Sequence, residues 1–169
     1  VRRDLEAELV VVIGRTTLSR STNAYIQGST RVMVIDPRIE NIDTSRTADE
    51  MHRVIPRITN SVEIDQAWHD KWHKYEEVAA ASLSVLPDWS EAEVAAVVAE
   101  ELENDAALFV SSSRPIRDIE SFAVPRGGIE TYANRGLAGI DGNISTAMGI
   151  AAKHDETYAV IGDLAFLHD

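Results

Sequence analysis

The run Glu8-Leu9-Val10-Val11-Val12-Ile13-Gly14 decides the fold class. It is short, continuous, β-branched and closed by glycine, without the 3.6-residue period of an amphipathic helix. Such a run predicts a strand buried on both faces of a parallel sheet. Working outward, Thr22 to Gln27 predicts a helix, and Thr30-Arg31-Val32-Met33-Val34-Ile35-Asp36-Pro37 a second buried strand that ends where proline cannot continue the ladder. Strand, helix and strand in that order make a βαβ opening, and so an α/β protein.

Residues 37 to 60 are polar and broken by Pro37 and Pro56, which predicts a loop with at most a weak strand around Arg53 to Ile58, and no site. From Ile64 the pattern turns helical. Asp65 can cap, and Trp68, Trp72, Tyr75 and Val78 or Ala79 recur at helical spacing, so the aromatic stripe is expected in the core. Leu86-Pro87-Asp88-Trp89 breaks this helix and is the expected domain boundary, dividing the chain into 1–86 and 87–169. Ser90 and Glu93 then form a capping-box pattern ahead of Val94, Val97, Val98 and Leu102 on one face. Ala106-Ala107-Leu108-Phe109-Val110 predicts a third buried strand, Gly128 to Ala133 a fourth, Ile144 to Ala152 a small-residue helix, and Tyr158 to Asp163 a fifth strand. The second half thus reads strand, loop, strand, loop, helix, strand.

The 169 residues are 44% hydrophobic and 26% charged, within the ordinary globular range. A formal net charge of −12 argues against a general nucleic-acid surface, which needs clustered Lys and Arg. No apolar run approaches the 18 or so residues of a membrane span. Cysteine is absent, which removes disulfides and thiolate metal sites and fits a cytoplasmic protein. The chain opens Val1-Arg2-Arg3-Asp4 without an initiator Met or signal peptide and stops at Asp169, so missing sequence is expected at both ends. No internal repeat is evident.

In an open α/β sheet, ligands sit outside the carboxyl ends of the strands. Four clusters occupy such ends: Gly14 to Arg20, Ser111 to Arg117, Asn134 to Gly142, and Gly162-Asp163. In the third, Gly136-Leu137-Ala138-Gly139-Ile140-Asp141-Gly142 leads into a helix. Glycines let backbone N–H groups approach an anion and the helix N-terminus favours one, so a phosphate or diphosphate is the natural guest. The spacing matches neither the dinucleotide fingerprint nor the P-loop, and tight packing alone would also explain it. Asp163, at a strand end, could join a diphosphate through Mg²⁺, which prefers oxygen ligands and bridges carboxylates to phosphates. A cap or turn role is the alternative.

The segment Ala133-Asn-Arg-Gly-Leu-Ala-Gly-Ile-Asp-Gly-Asn-Ile-Ser-Thr-Ala-Met-Gly-Ile-Ala-Ala152, followed by Ile161-Gly-Asp-Leu-Ala-Phe-Leu-His-Asp169, resembles the 2-succinyl-5-enolpyruvyl-6-hydroxy-3-cyclohexene-1-carboxylate (SEPHCHC) synthase family of menaquinone biosynthesis. These motifs cover about the last third of the chain. The resemblance implies a thiamine-diphosphate enzyme built of parallel-sheet, three-layer α/β domains, present here as fragments. Residues 1–86 would be part of the central domain and 87–169 the start of the diphosphate-binding domain. Thiamine diphosphate and Mg²⁺, with Mn²⁺ as a substitute, are the implied cofactors, and 2-oxoglutarate and isochorismate the implied substrates.

Residue by residue, the resemblance makes Asp163 a metal ligand within Gly162-Asp163-Leu164, where the wider enzyme class has Gly-Asp-Gly. The partner Asn of that motif falls beyond Asp169. Ser113 and Arg117 match a Ser-x-x-x-Arg motif, and Arg135 the Asn-Arg-Gly arginine, as contacts to an anionic substrate. Arg can hold carboxylates in a bidentate fork. Arg20 lies near a further basic position in a loose alignment. Ile140, flanked by Gly139 and Asp141, would wedge under the cofactor, and a core role is the bland reading. The activating Glu is expected outside these residues, so this segment alone should be inactive, and a homodimer or homotetramer is expected of the whole enzyme. Two other readings stay open: a thiamine-diphosphate decarboxylase or synthase of the acetolactate-synthase type, and a non-catalytic anion-binding α/β module. His69 and His73 share a helix face without the Glu of His-Glu-x-x-His and read as solvated residues; His168 is unassigned.

Overall fold

Four consecutive apolar residues of the second half, Ala107 to Val110, are buried without a break in the computed structural model. The structure describes residues 5–16, 18–38, 43, 46–57, 59, 63–136 and 139–169. Val1 to Asp4, Thr17, Ile58, Leu137 and Ala138, each part of a stretch read above, lie outside the described residues. The chain divides into two compact units, Val1–Ser84 and Val85–Asp169. Each holds a three-stranded, wholly parallel sheet, so the fold is α/β.

In the first unit β1 (Val10–Ile13), β2 (Val32–Ile35) and β3 (Glu50–His52) lie side by side in that order. Helix α1 (Arg20–Gln27) crosses from β1 to β2. Ser19 caps it, accepting the Thr22 N–H at 3.2 Å. Ile26 of α1 packs with Val32 and Val34, and Val10, Val12 and Ala48 complete this small core. Burial of β1 on both faces does not hold. Val11 is 45% and Ile13 68% exposed, because the packed core gathers only the alternate face of the strand.

The third strand falls at 50–52 and not at 53–58. The last ladder bond runs from the Asp36 N–H to the His52 carbonyl (2.9 Å), and Pro37 has no N–H with which to extend the pairing. Helix α2 (Gln66–Leu83) starts where Asp65 accepts the Trp68 N–H at 3.2 Å. Its aromatic stripe is not core. No residue of α2 is buried; Trp72 stands edge-on to Tyr25 and to Trp68, and the Trp68 indole N–H donates to the Glu6 carbonyl at 3.2 Å. The stripe covers polar backbone and α1, which leaves its rings half exposed.

In the second unit the order is β5 (Glu130–Tyr132), β4 (Ala107–Val110), β6 (Thr157–Val160). Central β4 is buried along its whole length, as its sequence predicts. Leu108 and Val110 share a face with Leu102, Val98, Ile116, Ile119, Tyr158 and Val160. Val98 and Leu102 belong to or close helix α3 (Glu91–Glu101). Its buried positions are Ala95 and Ala99, whereas Val94 and Val97 are 42% and 47% exposed, so the expected valine face is rotated. The small alanines let α3 pack closely on α4 (Arg114–Phe122).

The capping box closes with one change. Ser90 accepts the Glu93 N–H at 3.1 Å, but the Glu93 carboxylate takes the Trp89 N–H, because the Ser90 N–H is engaged by the Pro87 carbonyl.

Two helices stand where the sequence reading placed none. Helix α4 fills what reads as a loop between β4 and β5, with Pro115 in its first turn, where a missing N–H costs nothing. After β6, the chain turns at Gly162 into α6 (Asp163–His168), so Asp163 opens a helix and does not end a strand. Helix α5 (Asn143–Ala151) lies one residue earlier than its predicted span and packs on β4 and β6.

Candidate functional site

From β4 the chain crosses to β5 on one side and then passes back over β4 to β6 on the other. That reversal puts the topological switch point between β4 and β6, and the crevice beyond the carboxyl ends of those two strands is where such sheets bind ligands. Two of the clusters singled out in the sequence meet beside it, at the ends of β4 and β5. The Ser112 hydroxyl donates to the Asn134 carbonyl at 3.1 Å, joining the two strand ends. The Asn134 side-chain amide donates to the Thr146 hydroxyl at 3.2 Å, and that hydroxyl donates to the Gly142 carbonyl at 2.7 Å. The strand ends are thereby tied to the first turn of α5.

Ser113 occupies the turn from β4 into α4 with φ of 77°, a conformation sparsely populated by non-glycine residues. Its side chain makes no cap bond, and its carbonyl accepts the Arg117 guanidinium from one turn along α4. Ser113 and Arg117 are thus brought together, both exposed. Arg135 lies three residues beyond β5 and is exposed. Arg20 is the first residue of α1 in the other unit.

The glycine turn ends in a pair of backbone donors. Gly142 takes φ of 81° before α5, a left-handed geometry that glycine adopts without strain. The backbone N–H groups of Gly142 and Ile144 both donate, at 2.6 Å each, to the carboxylate of Asp169. These two bonds, Gly142 first, hold the Asp169 carboxyl below its ordinary range. Gly139, Ile140 and Asp141 lie on the rim of the turn, all exposed. The Ile140 carbonyl accepts the Asn143 amide at 2.8 Å. Asn143 is fully buried, and its Oδ1 has no partner among the described residues. The Asp141 carboxylate meets Nε2 of the His168 ring at 2.7 Å. It is therefore the end of α6, through His168 and Asp169, that reaches the turn. Asp163 stands at the opposite end, roughly 9 Å of helix rise away.

Asp163, Gly162 and Val160 instead line a cavity of about 320 Å³ with Trp89, Arg114 and Asp118. Arg114 grips buried Asp118 through both carboxylate oxygens (3.0 and 2.9 Å) and reaches Glu91 at 2.8 Å. The Asp118 hydrogen bonds push the Arg114 guanidinium above its ordinary pKa. Leu164 is 75% exposed beside it. Among the described residues no three His, Asp or Glu side chains converge to hold a metal, so Asp163 would supply a single carboxylate.

The sequence reading missed His168, Asp169, Arg114 and Asp118. The first two act across 25 to 27 residues on the turn, and no local pattern marks such a pairing. Arg114 and Asp118 sit at i,i+4 spacing, a signal that becomes visible once 114–122 is read as helix.

No protein-family model matches the chain. Curated relatives do. A 2-succinyl-5-enolpyruvyl-6-hydroxy-3-cyclohexene-1-carboxylate synthase of Thermobifida fusca is 38% identical over 97% of this chain and 31% of its own length. A synthase of the same name from Synechococcus is 35% identical over 96% of this chain and 29% of its own length. One from Nocardia farcinica reaches 45% over 57% of this chain. The chain thus spans about a third of the length of relatives such as these. With the glycine turn, the strand-end arginines and the Gly162-Asp163 corner all inside the matched span, the chain belongs to the SEPHCHC synthase family.

Proposed function

We propose that the whole protein carries out thiamine-diphosphate- and Mg²⁺-dependent decarboxylation of 2-oxoglutarate and adds the succinyl unit to isochorismate, giving SEPHCHC in menaquinone biosynthesis. In this reading residues 1–86 are part of a central domain and 87–169 open a diphosphate-binding domain. The protein is a cytoplasmic homodimer or homotetramer, and the activating Glu comes from sequence beyond these residues.

The observation that carries the reading is the pair of N–H groups at the start of α5, already holding a carboxylate. A phosphate oxygen asks for the same donors and the same partial positive charge. The donor set therefore fits a diphosphate, with Asp169 standing where the anion would sit and giving way to it. Asp163 would supply one protein carboxylate to a Mg²⁺ completed by phosphate oxygens and water, the usual economy of that ion, although in this structure it faces the cavity beside Arg114 and not the turn. Manganese would serve in its place.

Thiamine diphosphate, when bound, supplies the electron sink for decarboxylation. The chain's own residues bind and orient. Ser113, Arg117 and Arg135 gather at the β4 and β5 ends, where guanidinium forks can hold the carboxylates of 2-oxoglutarate and isochorismate. Arg117 must release the Ser113 carbonyl to do so. Ile140, 37% exposed on the turn, offers an apolar surface for the cofactor ring, flanked by Gly139 and Asp141. Arg20 is a further substrate contact.

The Asp169 carboxylate on α5 favours a second reading, a non-catalytic α/β module whose anion receptor is satisfied from within. Calorimetric titration of thiamine diphosphate with Mg²⁺ into the intact protein separates the two. We expect binding by wild type and at least tenfold weaker binding by Asp163→Ala, a loss of about 1.4 kcal/mol or more. Equal binding by both proteins, or none, would leave the module reading standing.

A further inference from the structure

On α2, away in sequence from every residue of that site, His69 and His73 turn their rings toward each other one helical turn apart. Their Nε2 atoms are 3.3 Å apart, and both side chains are accessible, 45% and 60% exposed. The outer nitrogens have partners of their own. His73 Nδ1 lies 3.3 Å from the Glu76 carboxylate, which can only accept, so His73 carries its proton on Nδ1 and presents a lone pair at Nε2. His69 Nδ1 has the Gln66 amide at 3.4 Å and the Asp70 carboxylate at 3.8 Å. Gln66 donates to Asp70 at 2.8 Å, which holds both groups beside the ring.

With two neutral rings, the contact between Nε2 atoms is one N–H donated by His69 to His73. The same spacing has a second use. Two imidazole nitrogens bound to one tetrahedral Zn²⁺ at about 2.0–2.1 Å each stand about 3.3–3.4 Å apart. The rings already hold that separation, on a capped helix, and the outer nitrogen of His73 sits next to a carboxylate in the manner of metal-ligating histidines.

We propose that His69 and His73 form a surface site for one borderline transition-metal cation, of the Zn²⁺, Ni²⁺ or Cu²⁺ class, bound through the two Nε2 atoms, with water completing the coordination. On binding, the proton on His69 Nε2 moves to Nδ1, and the Gln66 amide, itself a donor, turns away from that nitrogen. Imidazole selects these ions over Mg²⁺ and Ca²⁺, which take oxygen ligands. Lacking the Glu of His-Glu-x-x-His and any third protein ligand among the described residues, the site binds and does not hydrolyse.

The test is titration of ZnCl₂ into the intact, chelator-stripped protein near pH 7.5, with Mg²⁺ in excess to fill hard-cation sites. Wild type should take up one Zn²⁺ equivalent that is weakened at least tenfold in His69→Gln and in His73→Gln. Glu76→Gln, which removes only the orienting carboxylate, should weaken it by a smaller factor. Cu²⁺ electron paramagnetic resonance on wild type needs no variant and should show hyperfine splitting from two equatorial nitrogens. Zinc uptake that is identical in wild type and both histidine variants, no uptake at 100-fold excess, or a Cu²⁺ spectrum without two nitrogens would each overturn the proposal.

Discussion

Asp36, buried at the carboxyl end of β2, is clasped by the Arg38 guanidinium and by the Arg38 backbone N–H at 2.8 Å. The Arg38 side-chain bonds hold its pKa down to about 2, against an ordinary value near 3.9. Across that interval the unfolded chain binds the proton and the folded one does not. Asp36 therefore stabilises the fold fully above about pH 4 and loses that contribution as pH falls toward 2. Urea unfolding at a series of pH values should show Asp36→Asn flattening this part of the acid profile while part of it remains, since Glu50, Glu103 and Asp169 are lowered as well. An unchanged profile would mean that the Arg38 clasp forms in the unfolded chain too. Nothing in the neighbourhood of Asp36 in the sequence marks it as more than a strand end. Its burial comes from the fold of the first unit, and Asp169 is invisible for the same reason, since its partners lie 25 and 27 residues away.

At the scale of elements, α3 depends on its start. Ser90 accepts the Glu93 N–H, one of the donors a helix leaves without a partner. Ser90→Ala should lower the unfolding free energy of the protein by about 1 kcal/mol, read from the urea midpoint; a change below about 0.3 kcal/mol would show that the Glu93 bond to Trp89 suffices. Caps and apolar strand runs were the legible part of this fold. Asp65, Ser90 and the run Ala106 to Val110 each carry a local physical cause, and each element formed where that cause put it. Helices α4 and α6 were illegible because their signals are contextual: Pro115 reads as a breaker until the residue after Ser113 is known to start a helix, and Asp163 to His168 is too short for a period to show. The candidate site divides similarly. The Asn134 to Gly142 stretch was legible as a strand-to-helix turn through its glycines, whereas the Asp169 carboxylate seated on it and the Arg114–Asp118 wall beside Asp163 depend on tertiary packing.

Across the whole molecule protection is uneven. Strand β4 is buried on every residue and bonded on both edges, whereas α2 has no buried residue. Amide exchange should be slowest at Leu108, Phe109 and Val110, approaching the rate set by global unfolding of their unit, and should be faster by orders of magnitude along Gln66 to Leu83. Comparable rates in both would show that the two units open together. The strand order has a further consequence, for synthesis. Because β6 pairs with β4 from Ala107↔Thr157 to Val110↔Val160, the central strand waits for a neighbour fifty residues downstream. At ordinary translation speeds that is a delay of roughly 3 to 10 seconds. During it the nascent chain carries its most deeply buried strand with an edge bare, so the emerging polypeptide has a window in which a chaperone or a neighbouring nascent chain competes with β6 for that edge.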